Sequence, residues 1–363
     1  MVADPSGCWM QAWDRQFGQQ RIEVLRSPGV HHPDPDVMAL LHANHYDPCP
    51  DRREDMASGG PLRGPLRRPT TVAFAQFCRD VIDRAGLARR VVPTSVFELH
   101  QLTSGRPSRW RAVLDDGRSV FARQVVWAGN PRTPNLPPDV AVCRATVHSS
   151  EVDIDTATPG QHIAVLGGGQ TAGQLALQAA RSGAEVTLVS RGPQRISNLD
   201  VDAGWLMNDH LGPFQSIDDP WQRRQVVEDA RCGSITADLG NALRAAGVRH
   251  VCEAGQLSAT SSSRGAFIRA GGTALDVDNL WLATGSTPDL RMAPALAQQA
   301  ACGAPHVDGW PVLDRRLHWQ AGLIVIGALA ALTLGPAAGN LGGARAAADV
   351  LADQTPRLAA RAC

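Results

Sequence analysis

The strongest pattern in the chain is an uninterrupted apolar run, Ile163–Leu166, that ends abruptly in Gly167, Gly168 and Gly169. A helix-forming stretch follows to Arg181, and a second apolar run, Glu185–Val189, comes next. Short apolar runs bounded by turn residues read as strands buried on both faces. Strand, glycine turn, helix and strand within ~30 residues is the arrangement of a dinucleotide-binding βαβ unit. Gly167 permits the tight turn, Gly169 lets backbone approach a pyrophosphate, and Ala172 keeps helix and sheet close. The helix start, with Gln170 and Thr171, offers free N–H groups and the positive end of a dipole to phosphate. At the end of the second strand stand Ser190 and Arg191. An NAD site places a carboxylate there, whereas a guanidinium can grip a 2′-phosphate, so NADPH is the expected nucleotide.

Elsewhere the periodicity predicts a short helix over Trp9–Gln20, with Trp13 and Phe17 following Trp9 at helical spacing, and a second helix over Thr71–Leu87. Arg109–Leu114 and Ser119–Phe121 flank Asp115-Asp116-Gly117, a hairpin signal. Gln124–Ala128 reads as a buried strand ending at Gly129. A helix is expected over Ser234–Ala246, a hairpin around Gly271 and Gly272, and a strand over Asn279–Leu282. Tyr46–Pro69, rich in Pro, Gly, Arg and Asp, is expected to be a mobile connection. Ala321–Leu341 carries no charge, but Gly322, Gly327, Gly335, Pro336 and Gly339 break it. It reads as a strand, Leu323–Ile326, a glycine-rich loop and a helix from Asn340, not as a membrane span.

Composition narrows the chemistry. The 363 residues have room for two domains, and the net charge of zero gives no basic surface for nucleic acid or anionic membrane. All 35 basic residues are arginine, which excludes Schiff-base and P-loop lysine mechanisms. The 8 cysteines are scattered with no C-x-x-C, so neither a metal site nor a redox dithiol is expected. Scattered thiols without a secretory leader point to the cytoplasm.

Two strand exits are alike: Val125-Val-Trp-Ala-Gly129 and Leu280-Trp-Leu-Ala-Thr-Gly285. They resemble the links between domains in two-dinucleotide-binding flavoproteins. There the second link reads D-x-x-x-L-A-T-G, which Asp278 to Gly285 matches letter for letter. Leu323–Pro336 with Asn340–Arg345 resembles the last FAD contact of that superfamily, where a helix start points at the flavin ring. Within it the likeness is to flavin-dependent monooxygenases of the lysine/ornithine N-hydroxylase and flavin-containing monooxygenase type. Departures are the serine at 286, where amino-acid N-hydroxylases have tyrosine, and a degenerate F-x-G-x-x-x-H signature. Of that signature only His148 survives, with Val142 and Arg144 replacing Phe and Gly.

The resemblance implies an α/β fold of two Rossmann-like domains. An NADPH-binding domain, 158–287, is inserted into an FAD-binding domain, 1–157 and 288–363. It implies NADPH contacts from Gly167, Gly168, Gly169, Gln170, Thr171, Ala172, Ser190, Arg191, Thr284 and Gly285. On the FAD side it implies Asp4, Arg26, Ser27, His31, His32, Gly129, Gly327, Asn340 and Leu341. Family members open with a strand–GxGxxG–helix that holds the FAD pyrophosphate, whereas this chain opens at what reads as the second strand. Judged against a ~30-residue βαβ unit, about twenty-five residues are expected to be missing. A longer native protein is favoured over weak or partner-assisted FAD binding, and over loss of flavin chemistry.

Three functions follow. The first is an NADPH- and O2-dependent flavin monooxygenase acting on a small amine or other soft nucleophile. The second is an NADPH-dependent flavoprotein reductase without a dithiol, and the third a non-catalytic NADPH-binding protein. No catalytic residue is assigned, because the cofactor carries the hard chemistry. The substrate pocket is expected from Leu25–Pro69 and Asn198–Asp219, the latter with Trp205, Met207 and His210, and with Trp221 just beyond. Oligomeric state is not legible.

Overall fold

The apolar run at 162–166 forms the middle of a five-stranded parallel sheet, because only a central position buries both faces of a strand. The computed structural model describes residues 1–43, 67–102, 109–140, 143–207, 209–252 and 257–354. The sheet runs Arg249–Val251, Glu185–Val189, His162–Leu166, Asn279–Leu282, Thr146–His148. Its register pairs Val189 and Leu282 with Leu166 from either side, so three strands end level at the glycine turn. Side chains alternate as the pleat demands. Ile163 and Val165 pack with Leu175, Leu188 and Leu239 beneath helices Gln170–Arg181 and Ala237–Ala245. Ala164 and Leu166 face the other way, onto an antiparallel sheet of Leu257–Ser261, Ala266–Ala270 and Thr273–Val277.

The rest of the chain builds a second half in smaller pieces. Val125–Trp127 pairs in parallel with Leu323–Val325, which pairs antiparallel with His318–Gln320. Val2–Asp4 pairs in parallel with Val91–Pro93. Val96–Leu102, Arg109–Leu114 and Ser119–Ala122 form an antiparallel trio. Trp110, Trp310 and Leu329, each at most 1% exposed, sit in the core of this half. A separate cluster of Leu25, Leu40, Phe74 and Phe77 holds the amino-terminal helices, with Trp13 stacked on Phe17 at 4.2 Å. Two short strands, Arg132–Pro134 and Ser286–Pro288, cross between the halves as an antiparallel pair.

Several predicted elements shorten. The first helix is Gln11–Gln19, which leaves Trp9 outside it, its indole N–H donating to the Leu87 carbonyl. The second is Thr71–Arg84, capped by the Thr70 hydroxyl, and the third starts at Ala237, after Thr236. The strand at 323 stops at Val325. The expected loop at 198–219 instead holds short helices, Ala203–Leu206 and Leu211–Gln215. Pro220–Ala230, helical behind an Asp219 cap, has no matching expectation. Residues 46–66 of the expected mobile connection, and Val142, lie outside the described residues. Among the described residues no helix is long and apolar enough to cross a membrane.

Leu175 is fully buried between helix and sheet. Leu175→Ala is expected to destabilise the protein by about 2–5 kcal/mol, the cost of lost burial plus a cavity. A urea-midpoint loss worth under ~0.5 kcal/mol, the size of an ordinary surface change, would contradict this packing.

Candidate dinucleotide site

Gly167 turns at φ 151° with its N–H bonded to the Val189 carbonyl. A Cβ there would lie 2.4 Å from the Ala283 carbonyl oxygen and 3.1 Å from the Ala172 Cβ. No side chain fits, so the sequence has only hydrogen to offer at this point. The Ala283 N–H in turn donates to the Leu166 carbonyl, tying the second strand exit to the turn. Gly169 is the N-cap of helix Gln170–Arg181 and gives its first N–H groups no side-chain cap. A Cβ on Gly169 would meet the Gly233 Cα at 3.6 Å, which places the segment around Gly233 against the turn.

Other predicted NADPH-side residues divide. Gln170 accepts from the Thr236 N–H at 3.0 Å and ties this helix to the start of helix Ala237–Ala245. Ser190 is buried; its hydroxyl donates to the Gly192 carbonyl at 2.6 Å and meets His250 Nε2 at 2.8 Å. With the serine proton committed, the hydrogen-bond network assigns the Nε2 proton to His250. Burial holds His250 below its ordinary pKa. Arg191 is exposed and makes no hydrogen bond or ion pair among the described residues, which leaves its fork open at the strand end. The Thr284 hydroxyl donates to the Asn135 carbonyl, so it serves the link between halves. His148 Nε2 meets the Gly285 carbonyl at 3.1 Å, the structural use of that surviving histidine.

On the flavin side Asp4 stands at the carboxyl end of its strand, one oxygen accepting from the Ser6 N–H at 2.9 Å. Gly327 turns at φ 75° with nothing but the Ala128 carbonyl, at 4.0 Å, near a hypothetical Cβ. Gly129 is exposed beyond the strand of Trp127. The Trp127 indole N–H is buried without a partner, a donor available to a bound group. Asn340 caps helix Leu341–Gln354 by accepting from the Gly343 N–H at 3.0 Å. The open turn at Gly327, the orphaned indole donor and this capped helix start fit a polar, ring-bearing cofactor.

The segment of the implied FAD-side residues Arg26, Ser27, His31 and His32 is held by bonds within the protein in much of its length. Arg26 donates to the carbonyls of Ser197, Leu199 and Ser234 and to the Ser234 hydroxyl. That binds the loop, with half-buried Ser27, to the nucleotide half. His32 is buried, one ring nitrogen on the Val37 carbonyl and the other taking the Asp34 N–H. Its ring edge meets Phe77 at 5.0 Å. Arg345 donates to the carbonyls of His32 and Asp34. His31 is half-buried beside it.

Two arginines that motif reading passed over lie where the halves meet. Arg132 donates to the Ser286 hydroxyl at 2.6 Å and carbonyl at 2.7 Å. Arg231 donates through Nε and Nη2 to the Pro336 carbonyl at 3.1 and 2.9 Å. Neither stands in a motif, and no spacing in the sequence connects them.

The chain matches the model of the pyridine nucleotide-disulphide oxidoreductase family over residues 90–212. No curated protein matches it in sequence. Among solved structures it is similar to an ornithine N-hydroxylase from Kutzneria sp. 744, at 16% identity and a TM-score of 0.68, covering 94% of this chain and 90% of that one. An L-lysine 6-monooxygenase from Pseudomonas syringae matches at 17% identity and 0.66, covering 97% and 90%. A flavin monooxygenase from Stenotrophomonas maltophilia, in a mutant form, matches at 19% and 0.57, covering 92% and 86%. The chain therefore shares its fold with these three structures.

Two outcomes follow from this geometry. Gly167→Ala forces a methyl against a carbonyl and is expected to lower NADPH affinity at least about tenfold, the scale of strain of 1–3 kcal/mol. Unchanged NADPH titration with this variant would refute the close approach. The second concerns pH. Burial is the main cause that depresses His31, His32 and His250, although Asp200 pulls His31 up and the Val37 carbonyl, Asp34 and Asp36 pull His32 up. Arg345 pushes both loop histidines further down. The unfolded chain therefore binds more protons near their ordinary pKa of 6.5, so stability rises with pH there. The contribution is complete above pH 6.5 and is lost as pH falls through the lower folded values. Urea midpoints are expected to fall between pH 7.5 and 5; a flat or rising series would contradict these burials.

Proposed function

We propose that this chain, a two-dinucleotide-binding flavoprotein by fold, is an NADPH- and O2-dependent flavin monooxygenase acting on a small amine or another soft nucleophile. The observation that carries this reading is the meeting of the glycine turn at Gly167 with the second strand exit at Ala283, beside the crossing strands. That meeting sets the nucleotide turn beside the link to the flavin-side exits at Gly129 and Gly327. On this reading residues 158–287 form the nucleotide domain, inserted between 1–157 and 288–363.

The turn from Gly167 to Gly169 and the helix start at Gln170 and Thr171 hold the NADPH pyrophosphate by backbone N–H groups. Arg191 would take the 2′-phosphate. Asp4, Trp127, Gly129, Gly327 and the helix start at Asn340 and Leu341 would hold FAD. The chemistry that FAD would supply there is hydride acceptance and O2 activation. The chain's own part is to orient the two cofactors across the seam and to exclude water. The clamps of Arg26 and Arg345 fix the loop at 26–36 to residues 197–234 and to helix Leu341–Gln354.

The test is NADPH consumption under air by the protein supplied with FAD and candidate amines. Oxygen-dependent consumption with an oxygenated product is the expected result. NADPH consumption with reduction of a quinone and no oxygen incorporation would replace this reading by a reductase. Absence of any consumption at saturating FAD, also by the chain extended with a strand–GxGxxG–helix segment, would overturn both. Arg191→Gln is expected to raise the NADPH KM about tenfold or more, the scale of a charge-assisted phosphate contact, and to leave NADH use unchanged. Equal losses for both nucleotides would remove Arg191 from the 2′-phosphate.

A further inference from the structure

The strand ends beside the glycine turn hold a hydrogen-bond chain that starts from a residue in no motif, His250. Strand Arg249–Val251 lies at the edge of the parallel sheet, and its register sets His250 opposite Leu188. Side chains two residues apart on a strand share a face, so the His250 ring reaches along that face to Ser190. Nε2 meets the Ser190 hydroxyl at 2.8 Å, and that hydroxyl donates to the Gly192 carbonyl at 2.6 Å. The chain runs from the imidazole N–H through the serine to the backbone beyond Arg191. The Ser190 N–H also donates to the Val251 carbonyl. The Ser190 Cβ lies 3.6 Å from where a Cβ on Gly168 would sit, against the turn itself.

Residues 191–193 form a bend outside the sheet. The Arg191 side chain makes no bond there among the described residues, but the backbone on either side of it is held. Ser190 is held by the neighbouring strand, and Gly192 by the Ser190 hydroxyl. A hydroxyl donates once and can accept as well, so the imidazole N–H on its lone pair leaves the serine proton for Gly192. That proton is committed, and the serine cannot donate it to a phosphate. Ser190 is 4% exposed, so without the imidazole a buried acceptor would lose its partner. The serine would then be free to take another of its staggered rotamers and release Gly192. Its position on the page is that of a relay between His250 and the bend.

We propose that His250 is a positioning residue for the 2′-phosphate of the nucleotide: through Ser190 and Gly192 it fixes the bend that carries Arg191, and so sets the preference for NADPH over NADH. The proposal rests on the reading of Arg191 as the 2′-phosphate residue, and adds to it a side chain from a separate strand. His250 acts through the serine and needs no contact with the nucleotide.

The experiment uses the full chain and needs no flavin. Adenosine 2′,5′-bisphosphate and 5′-AMP, which differ only in the 2′-phosphate, are titrated by calorimetry. The native chain is expected to prefer the bisphosphate. His250→Ala should weaken the bisphosphate about threefold or more, the scale of one net hydrogen bond, and leave 5′-AMP unchanged. His250→Gln, whose amide N–H reaches the place of Nε2, should restore binding, whereas the shorter His250→Asn should not. In the Arg191→Gln background His250→Ala should have no further effect, because both act on one contact. Equal loss of both probes, an unchanged bisphosphate affinity, no rescue by His250→Gln, or losses that add to those of Arg191→Gln would overturn the positioning role. Selective loss in Arg191→Gln without loss in His250→Ala would remove His250 alone and leave the nucleotide reading standing. No bisphosphate preference in the native chain, or one that Arg191→Gln leaves intact, would remove Arg191 and His250 together. Should His250→Ala fail to fold, as read by its thermal midpoint, the comparison of His250→Gln with His250→Asn decides.

Discussion

Everything in the nucleotide half depends on one close approach. The turn after the central strand passes within 2.4 Å of the Ala283 carbonyl oxygen, measured from where a Cβ would sit on Gly167. Because that Cβ is absent, the strands ending at Leu166, Val189 and Leu282 finish level, and the helix at 170 starts directly above them. The same approach fixes the second strand exit, which continues through Thr284 and Gly285 into the crossing strand at Ser286. One backbone contact thus sets both the nucleotide turn and the link to the rest of the molecule.

The halves are then held by arginine. With no lysine in the chain, side-chain cations are all planar forks with five donors. Arg26, Arg223, Arg231 and Arg345 each donate to backbone carbonyls far away in sequence. Carbonyls at loop and helix ends have no other partner within their own element. A guanidinium can satisfy two or three of them, where an ammonium would act as a point charge. Arg26 and Arg345 in this way tie loop and helix ends to segments remote in the chain.

Fold legibility followed local strength of pattern. Ile163–Leu166 and Val186–Val189 are buried because both faces are covered, and the turn residues between them have a single physical use. The strand Val96–Leu102 went unread because its burial alternates weakly, with Leu99 its one fully buried residue. Helix Pro220–Ala230 is polar nearly all round and buries Val227 alone, so no apolar stripe announces it. The aromatics of 198–219 suggested a pocket lining. In the structure Trp205 packs edge-on to Phe214 and lies against Gly335.

The sequence by itself determined what short-range chemistry can specify: the βαβ unit at 162–189, the turn at Gly167, the exposed fork of Arg191 and the two strand exits. Those depend on residues adjacent in the chain, where spacing is geometry. Tertiary structure alone decided which polar side chains are free. His32 and Arg26 look like ligand-binding residues in a list, but packing gave them carbonyl and amide partners from their own loop and from 197–234. Arg132 and Arg231 look like ordinary charges, but folding set one on the Ser286 hydroxyl and carbonyl and the other on the Pro336 carbonyl. Partnership across such distances follows from three-dimensional packing, and no local pattern encodes it.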